Sequence, residues 1–143
     1  MEYGYIVNLQ QAVTKDFGLF SRLSWRSGQT EIEAWTDVDR SASFGGALQG
    51  TSWGRPDDRI GVAGVINGLS KEYQDFLALG GLGIVIGDGQ LNYRPEKILE
   101  AYYWLSLSKT SSLTFDYQFF ADPAYNADRG PVSVFTGRFH MHL

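Results

Sequence analysis

The sequence predicts an all-β protein folded as an antiparallel up-and-down meander. Of its 143 residues, 15% are aromatic, only 20% are charged and 17 are glycine, a balance typical of strands joined by many turns. Apolar and polar residues alternate along several runs of about ten residues, as strands with one apolar and one wet face require. Stretches rich in glycine, proline and polar residues separate these runs.

Composition also excludes several classes of function. The net charge of −4 and the lack of a basic stripe argue against a nucleic-acid partner. The absence of cysteine rules out a disulfide framework and a thiolate metal site. No run of eighteen apolar residues is present, which excludes a transmembrane helix but not barrel strands, whose hydropathy pattern is weak.

The first half of the chain contains four predicted strands, each about ten residues long. In the first three, apolar residues fall at every second position and so share one face. The fourth is apolar on both faces, and its pattern does not assign its sides. These strands are Tyr3–Ala12, Phe17–Ser27, Arg40–Gln49 and Arg59–Asn67.

The second half begins with a connection of a different kind. Its residues Ser70–Leu79 predict a short helix, since Ser70 can cap the first turn and Gly80-Gly81 stops it. Leu82–Ile86 fits one more short strand, which would make eight in all. Three long alternating strands then complete the meander, namely Lys97–Ser108, Leu113–Phe120 and Ser133–Leu143.

The connections between strands alternate in length along the chain. The shorter turns are centred on Thr14, Gly50 and Lys109, and the long polar connections lie near residues 28–39, 68–96 and 121–131. In a meander, all short turns then lie at one end and all long loops at the other, as in outer-membrane barrels. We therefore expect residues 1–143 to form a single segment of a transmembrane β-barrel with about seven or eight strands.

The two faces of the strands also favour a membrane. Tyr3, Trp25, Tyr103 and Tyr117 lie on faces that would look outward, and several are near strand ends, where such rings suit a lipid headgroup interface. The opposite faces carry more charge than the core of a small closed barrel tolerates, unless every group is paired. A water-filled lumen removes that difficulty. The alternative is a soluble β-sandwich or lipocalin-like domain that binds carbohydrate or protein, with these charges in solvent.

Several motifs from Trp53 onward resemble the carbohydrate-selective porins of the OprB type. The residues that carry the resemblance are Trp53–Asp58, Gly61–Val65, Asn67–Ser70, Gly80–Gly83, Ile86–Gly89, Leu91–Tyr93, Pro95–Glu96, Ile98–Tyr103, Asp116–Gln118 and Asp122–Val132. Their order matches the carboxy-terminal part of that family, and the resemblance extends over nearly the whole chain.

The resemblance implies passive diffusion of small carbohydrates through a trimeric or monomeric porin in the outer membrane of a Gram-negative bacterium. Such a porin has about sixteen strands, within the range of outer-membrane barrels. With about seven strands, the sheet would leave unpaired edges in lipid, which is costly. We therefore expect a fragment of a larger porin or a chain that closes its barrel with another chain, as in a homo-oligomer.

Candidate sugar-binding residues follow from the faces. Sugars are held by hydrogen bonds to their hydroxyls and by stacking on aromatic rings, and charged residues set selectivity in a lumen. By this reasoning the hydrogen-bond donors are Arg22, Arg26 and Arg138. The acceptors are Glu100 and Asp116, and the stacking platforms are Tyr102 and Trp104. The structural alternative is that they form cross-strand pairs that hold the sheet together.

An enzymatic function is not predicted. His140 and His142 share a face, but the sequence positions no third metal ligand beside them. Glu100 and Asp116 would lie on neighbouring strands, yet the separation that a glycosidase pair needs cannot be read from spacing. No glycine-rich segment sits between a strand and a helix in a dinucleotide-binding pattern. The sequence thus predicts neither a cofactor nor a metal site.

Overall fold

A computed structural model describes residues 2–30, 37–83, 86 and 91–141 of the chain. Seven antiparallel strands form one sheet in which each strand pairs with the next along the chain, from β1 to β7. The strands are β1 Gly4–Ala12, β2 Phe17–Arg26, β3 Arg40–Gly50, β4 Arg55–Gly68, β5 Glu96–Ser108, β6 Ser111–Ala121 and β7 Val132–Met141. The predicted meander is confirmed.

The sheet is open, with β1 and β7 at its two edges. Its strands range from 9 residues in β1 to 14 in β4. A tilted strand of about 9–11 residues crosses the hydrocarbon core of a bilayer, so these lengths suit a membrane wall. The open meander is consistent with part of a barrel.

Strand β4 begins earlier than its sequence suggests. It starts at Arg55, where proline and glycine indicated a turn, and Arg55 pairs with Gly50 across a shift in register. The buried Asp58 stabilises this extension, since its carboxylate accepts hydrogen bonds from Tyr103 Oη at 2.6 Å and Ser106 N at 3.0 Å. Pro56 lies in the bulge between Arg55 and Arg59, the two residues that pair with β3 on either side of the register shift. Proline is tolerated there because the ladder needs no N–H donor at that position.

The two ends of the sheet differ as the connection lengths predict. Residues 13–16, 51–54 and 109–110 make short connections at one end, here called the turn end. Residues 27–39, 69–95 and 122–131 make long connections at the other, here called the loop end. The predicted short strand Leu82–Ile86 includes residues 84 and 85, which lie outside the described residues.

One α-helix, α1, spans Lys71–Ala78 in the long connection between β4 and β5. The side chain of Ser70 accepts a hydrogen bond from Tyr73 N at 3.2 Å, which confirms the predicted N-cap. Within the described residues, no helix has the length and apolar character needed to cross a membrane.

One face of the sheet, here called the apolar face, exposes large apolar side chains from every strand. Directly paired residues share a face, and the register gives this face Val7, Leu9, Leu23, Phe44, Val62, Ile66, Leu99, Phe115, Phe135 and Phe139. Phe135 is 80% exposed and Leu9 65%. The charged residues Arg40 and Lys97 of this face lie at its loop end. An exposed apolar surface of this extent requires an apolar environment.

Aromatic rings lie near both ends of the apolar face. At the loop end, the Trp25 ring lies 5.6 Å from that of Tyr3 and 5.7 Å from that of Tyr5. Towards the turn end, Trp53 Nε1 donates a hydrogen bond to Tyr103 Oη at 3.1 Å. Two such girdles flank the apolar band of membrane barrels, where the rings meet the headgroups.

Replacing Phe115 by arginine tests whether hydrocarbon covers the apolar face. A cation near the bilayer midplane costs about 2–4 kcal/mol. We therefore expect Phe115→Arg to make folding into lipid vesicles less favourable by that amount. Thr136→Arg is the control, because Thr136 lies at nearly the same depth on the opposite face, paired with Asp116. Urea titrations followed by tryptophan fluorescence measure both, and equal losses would contradict the assignment of faces.

Candidate functional site

The opposite face of the sheet, here called the polar face, contains a concavity of about 480 Å³ formed by β4 to β7. Five of the seven residues predicted to bind sugar line it, namely Glu100, Tyr102, Trp104, Asp116 and Arg138. The structure adds Arg59, Thr114, Gln118 and Thr136 to this lining. We call this the polar concavity.

The strand register explains why these side chains meet. Trp104 pairs with Thr114, which in turn pairs with Arg138. The backbone positions of Trp104 and Arg138 are therefore level along the strands. They are separated by two strand spacings, about 10 Å. Tyr102 pairs with Asp116 one step closer to the loop end. An aromatic surface thus lies beside a cationic donor and a carboxylate.

The two other predicted residues lie elsewhere on the polar face. Arg22 belongs to β2, where its Nε donates to Asn8 Oδ1 at 2.6 Å. Arg26 lies at the loop end, where it forms an ion pair with Asp39. The structure therefore does not bring either arginine into the polar concavity. His140 belongs to the polar face of β7, and His142 lies outside the described residues.

Arg59 is a residue of the concavity that sequence reasoning missed. Its Nε donates to Gln49 Oε1 at 2.8 Å, which holds the guanidinium over the polar face. The strand that contains it is apolar on both sides, so alternation did not reveal its direction. Its pairing with Gln49 on β3 and with Trp104 on β5 places it there.

At the loop end, the long connections pack into a small apolar cluster. The buried members of this loop cluster are Leu69, Tyr73, Leu77, Ile86 and Tyr125. Two of its hydroxyls bind one residue: Tyr125 Oη donates to the backbone carbonyl of Asp37 at 2.7 Å, and Tyr73 Oη to its Oδ1 at 3.1 Å. The three long connections are thereby tied together.

Asp39 joins the loop cluster to the sheet. Its side chain is fully buried, and it accepts hydrogen bonds from Arg26 and from Ser70 N, the latter at 2.6 Å. Ser70 is also the N-cap of α1. Removing one partner of a buried ion pair leaves an uncompensated charge, which is strongly destabilising. Through its ion pair with Asp39, Arg26 thus helps to attach helix α1 to the sheet.

The first described residue of the chain, Glu2, fixes the start of the connection that follows β2. Its carboxylate accepts hydrogen bonds from Ser27, Gly28 and Thr30. These bonds, with that of the Thr30 side chain the strongest, hold the pKa of Glu2 at about 2. Glu2 is therefore ionised at neutral pH and accepts these bonds as a carboxylate.

The pKa of the Tyr125 phenol is shifted upward, in the opposite direction to that of Glu2. Burial in the loop cluster raises its pKa above the ordinary tyrosine value, and the nearby charges of Glu96, Asp37 and Asp39 add to the shift.

Within the described residues, no group of three or more histidines or carboxylates is placed to hold a metal ion.

Comparison with known protein families gives a match over the whole chain. The family described as carbohydrate-selective porin, OprB family, matches residues 1–143. The chain belongs to this family. It is an outer-membrane porin, not an enzyme, and small carbohydrates are the substrates of its channel. This confirms the porin prediction over the soluble alternative.

Comparisons with curated proteins and with solved structures find no match. The family match gives carbohydrate as the substrate class of this OprB porin. Its polar face places aromatic rings beside hydrogen-bond donors and acceptors, the groups with which proteins hold sugars.

The raised pKa of Tyr125 predicts a pH dependence of the loop cluster. An unfolded tyrosine ionises near pH 10, whereas the folded cluster keeps the phenol neutral. The stability contributed by Tyr125 is therefore complete below about pH 10 and is lost progressively as the pH rises above it. We expect ultraviolet titration to show a late phase, from a phenol that ionises above the ordinary tyrosine value. That late phase should be absent from Tyr125→Phe and present in Tyr5→Phe, in which an exposed ring is changed. Identical curves for the two variants would contradict this assignment.

Proposed function

We propose that the polar face forms the wall of the sugar-conducting lumen and that the apolar face contacts outer-membrane lipid. One observation supports this most strongly: the register collects Trp104, Arg138 and Asp116 on one face while the other face exposes apolar side chains throughout. Residues 1–143 then act as a single segment of the barrel.

In this proposal the polar concavity is a sugar-binding site within the channel. The ring of Trp104 or Tyr102 stacks on the apolar face of a pyranose. Arg138 donates to hydroxyl oxygens, and Glu100 and Asp116 accept from hydroxyl hydrogens. Arg22 extends the donors along the wall, and Arg26 places a cation near its loop end. A passing sugar exchanges hydrogen bonds with water for bonds with the wall, which lowers the barrier to its entry.

The edges of the sheet require further strands. An unpaired backbone group in hydrocarbon costs several kcal/mol, and both β1 and β7 present such an edge in the open sheet. We propose that further strands pair with both edges and close the barrel. They belong either to the same polypeptide or to another chain, in the latter case as in a homo-oligomer.

Trp104→Ala tests the sugar site directly. We expect the channel to conduct ions as before and the sugar concentration that half-blocks the current to rise about tenfold, as for the loss of about 1.4 kcal/mol of binding. Arg138→Gln should weaken the block in the same direction. Leu99→Ala on the apolar face of the same strand is the control. Unchanged block in both lumen variants would show that these residues only hold the sheet together.

Closure can be tested on residues 1–143 expressed alone. We expect native mass measurements in detergent to show assemblies larger than one chain, because a single chain leaves both edges unpaired. Adding the strands that complete the barrel should give a defined species with stable conductance. A stable monomer of 16.0 kDa with a protease-resistant sheet would contradict the need for further strands.

A further inference from the structure

A second concavity lies on the polar face, nearer the turn end. Its volume is about 650 Å³, and it shares Arg59, Glu100 and Tyr102 with the polar concavity. The two are therefore continuous along the wall. The second, here called the turn-side concavity, reaches across β1 to β5 and includes no residue predicted from the sequence apart from Glu100 and Tyr102.

The floor of the turn-side concavity includes small residues on two adjacent strands, of which Ala47 and Ala63 line it directly. Gly45 pairs with Ala63, and Ala47 pairs with Gly61, so the four positions form a compact square on the polar face of β3 and β4. Gly45 pairs with Phe20 of β2, and Gly61 pairs with Tyr102 of β5. Because the two glycines have no side chain, rings from these neighbouring strands can lie over them.

Two aromatic rings lie across this floor from opposite directions. Phe20 extends from β2 over Gly45, where an added Cβ would come within 2.6 Å of its Cε1 atom. Tyr102 extends from β5 over Gly61, where an added Cβ would overlap its ring. Each ring therefore occupies the space that a side chain at the neighbouring glycine would need, and both Phe20 and Tyr102 line the concavity. Gly45 and Gly61 are diagonal positions on adjacent strands, about 7–8 Å apart, so the two rings cover neighbouring parts of the wall.

Polar groups border the same space. Arg59 is held by Gln49, and both side chains line the concavity beside Gln10 and Glu100. They supply donors and acceptors in the plane of the sheet, while the rings supply apolar surfaces. Phe20 is 37% exposed, so its ring is accessible from the polar face.

We propose that the turn-side concavity is a second sugar subsite, in which a pyranose ring stacks on Phe20 and Tyr102 and hydrogen-bonds with Arg59 and Gln49. The inference rests on the proposed function, because it requires the polar face to line the lumen. A sugar leaving the polar concavity then meets a second aromatic platform before the turn end, and Tyr102 contributes to both.

Paired glycine variants on β4 test the subsite in the assembled porin. Gly61→Ala pushes the Tyr102 ring off its floor, whereas Gly64→Ala adds a methyl group where nothing lies within 4 Å. With glucose and a linear glucose oligosaccharide as probes, we expect Gly61→Ala to raise the half-blocking concentration about three- to tenfold, in keeping with the loss of one aromatic contact. Gly64→Ala should change it less than about twofold.

A second pair of variants does not alter the backbone. Phe20→Leu removes one ring from the turn-side concavity, and Phe44→Leu removes a ring from the apolar face of the next strand. We expect only Phe20→Leu to weaken the block, and the oligosaccharide to lose more than glucose because it can span both subsites. Ion conductance reports in each case that the barrel has assembled.

The outcomes separate this inference from the proposed function. If Trp104→Ala weakens the sugar block while Phe20→Leu leaves it unchanged, the lumen assignment stands and the second subsite is overturned. Phe20→Leu decides this point, because Tyr102, which Gly61→Ala displaces, also lines the polar concavity. If the wild-type channel conducts ions and no sugar blocks it, both proposals are overturned. Weakening in all three variants, with both controls unaffected, supports the two subsites.

Discussion

Hydrogen bonding between neighbouring strands is the constraint on which the whole structure depends. Backbone donors and acceptors in hydrocarbon must be paired within the protein, and each strand of this sheet satisfies that need by pairing with the next one along the chain. The same pairing fixes the register, and the register decides which side chains face each way. A shift of one residue would exchange the two faces and bring Arg59 and Asp116 into lipid.

The two ends of the sheet are stabilised by different means. At the turn end, Asp58 binds Arg55, Tyr103 and Ser106 and so joins β4 to β5 beside a short connection. At the loop end, an apolar cluster and the buried Asp39 organise the long connections. The sheet itself has little core, since both of its faces are open. Packing is therefore concentrated where the chain leaves the strands.

The sequence allowed much of the fold to be predicted, because alternation and loop length are local properties. Strands such as β6 and β7 show a strict period of two, and the helix after Ser70 has a clear N-cap. The start of β4 was not predictable, because Arg55 and Asp58 act through Tyr103 and Ser106, which are distant in sequence. Composition and periodicity contain no information about such pairings.

The candidate site divides in the same way. Residues of strongly alternating strands, such as Trp104 and Arg138, could be placed on one face from their own segments. Arg59 could not, because β4 is apolar on both sides and only its partner strand reveals its direction. The register places Arg26 on the polar face, as its strand pattern predicts. Its ion pair with Asp39 was not predictable, because it depends on the conformation of the long connection, which no local sequence pattern indicates.

In the proposed lumen, the contacts of Phe20 with Gly45 and of Tyr102 with Gly61 affect the width of the channel. A barrel of fixed strand number has a fixed backbone diameter, so its free width depends on how far side chains project from the wall. Where a ring lies over a glycine, it uses space that a side chain at that position would otherwise fill. Exchanging such a glycine for a larger residue would displace the ring into the passage without moving any strand, and so would reduce the size of solute that passes.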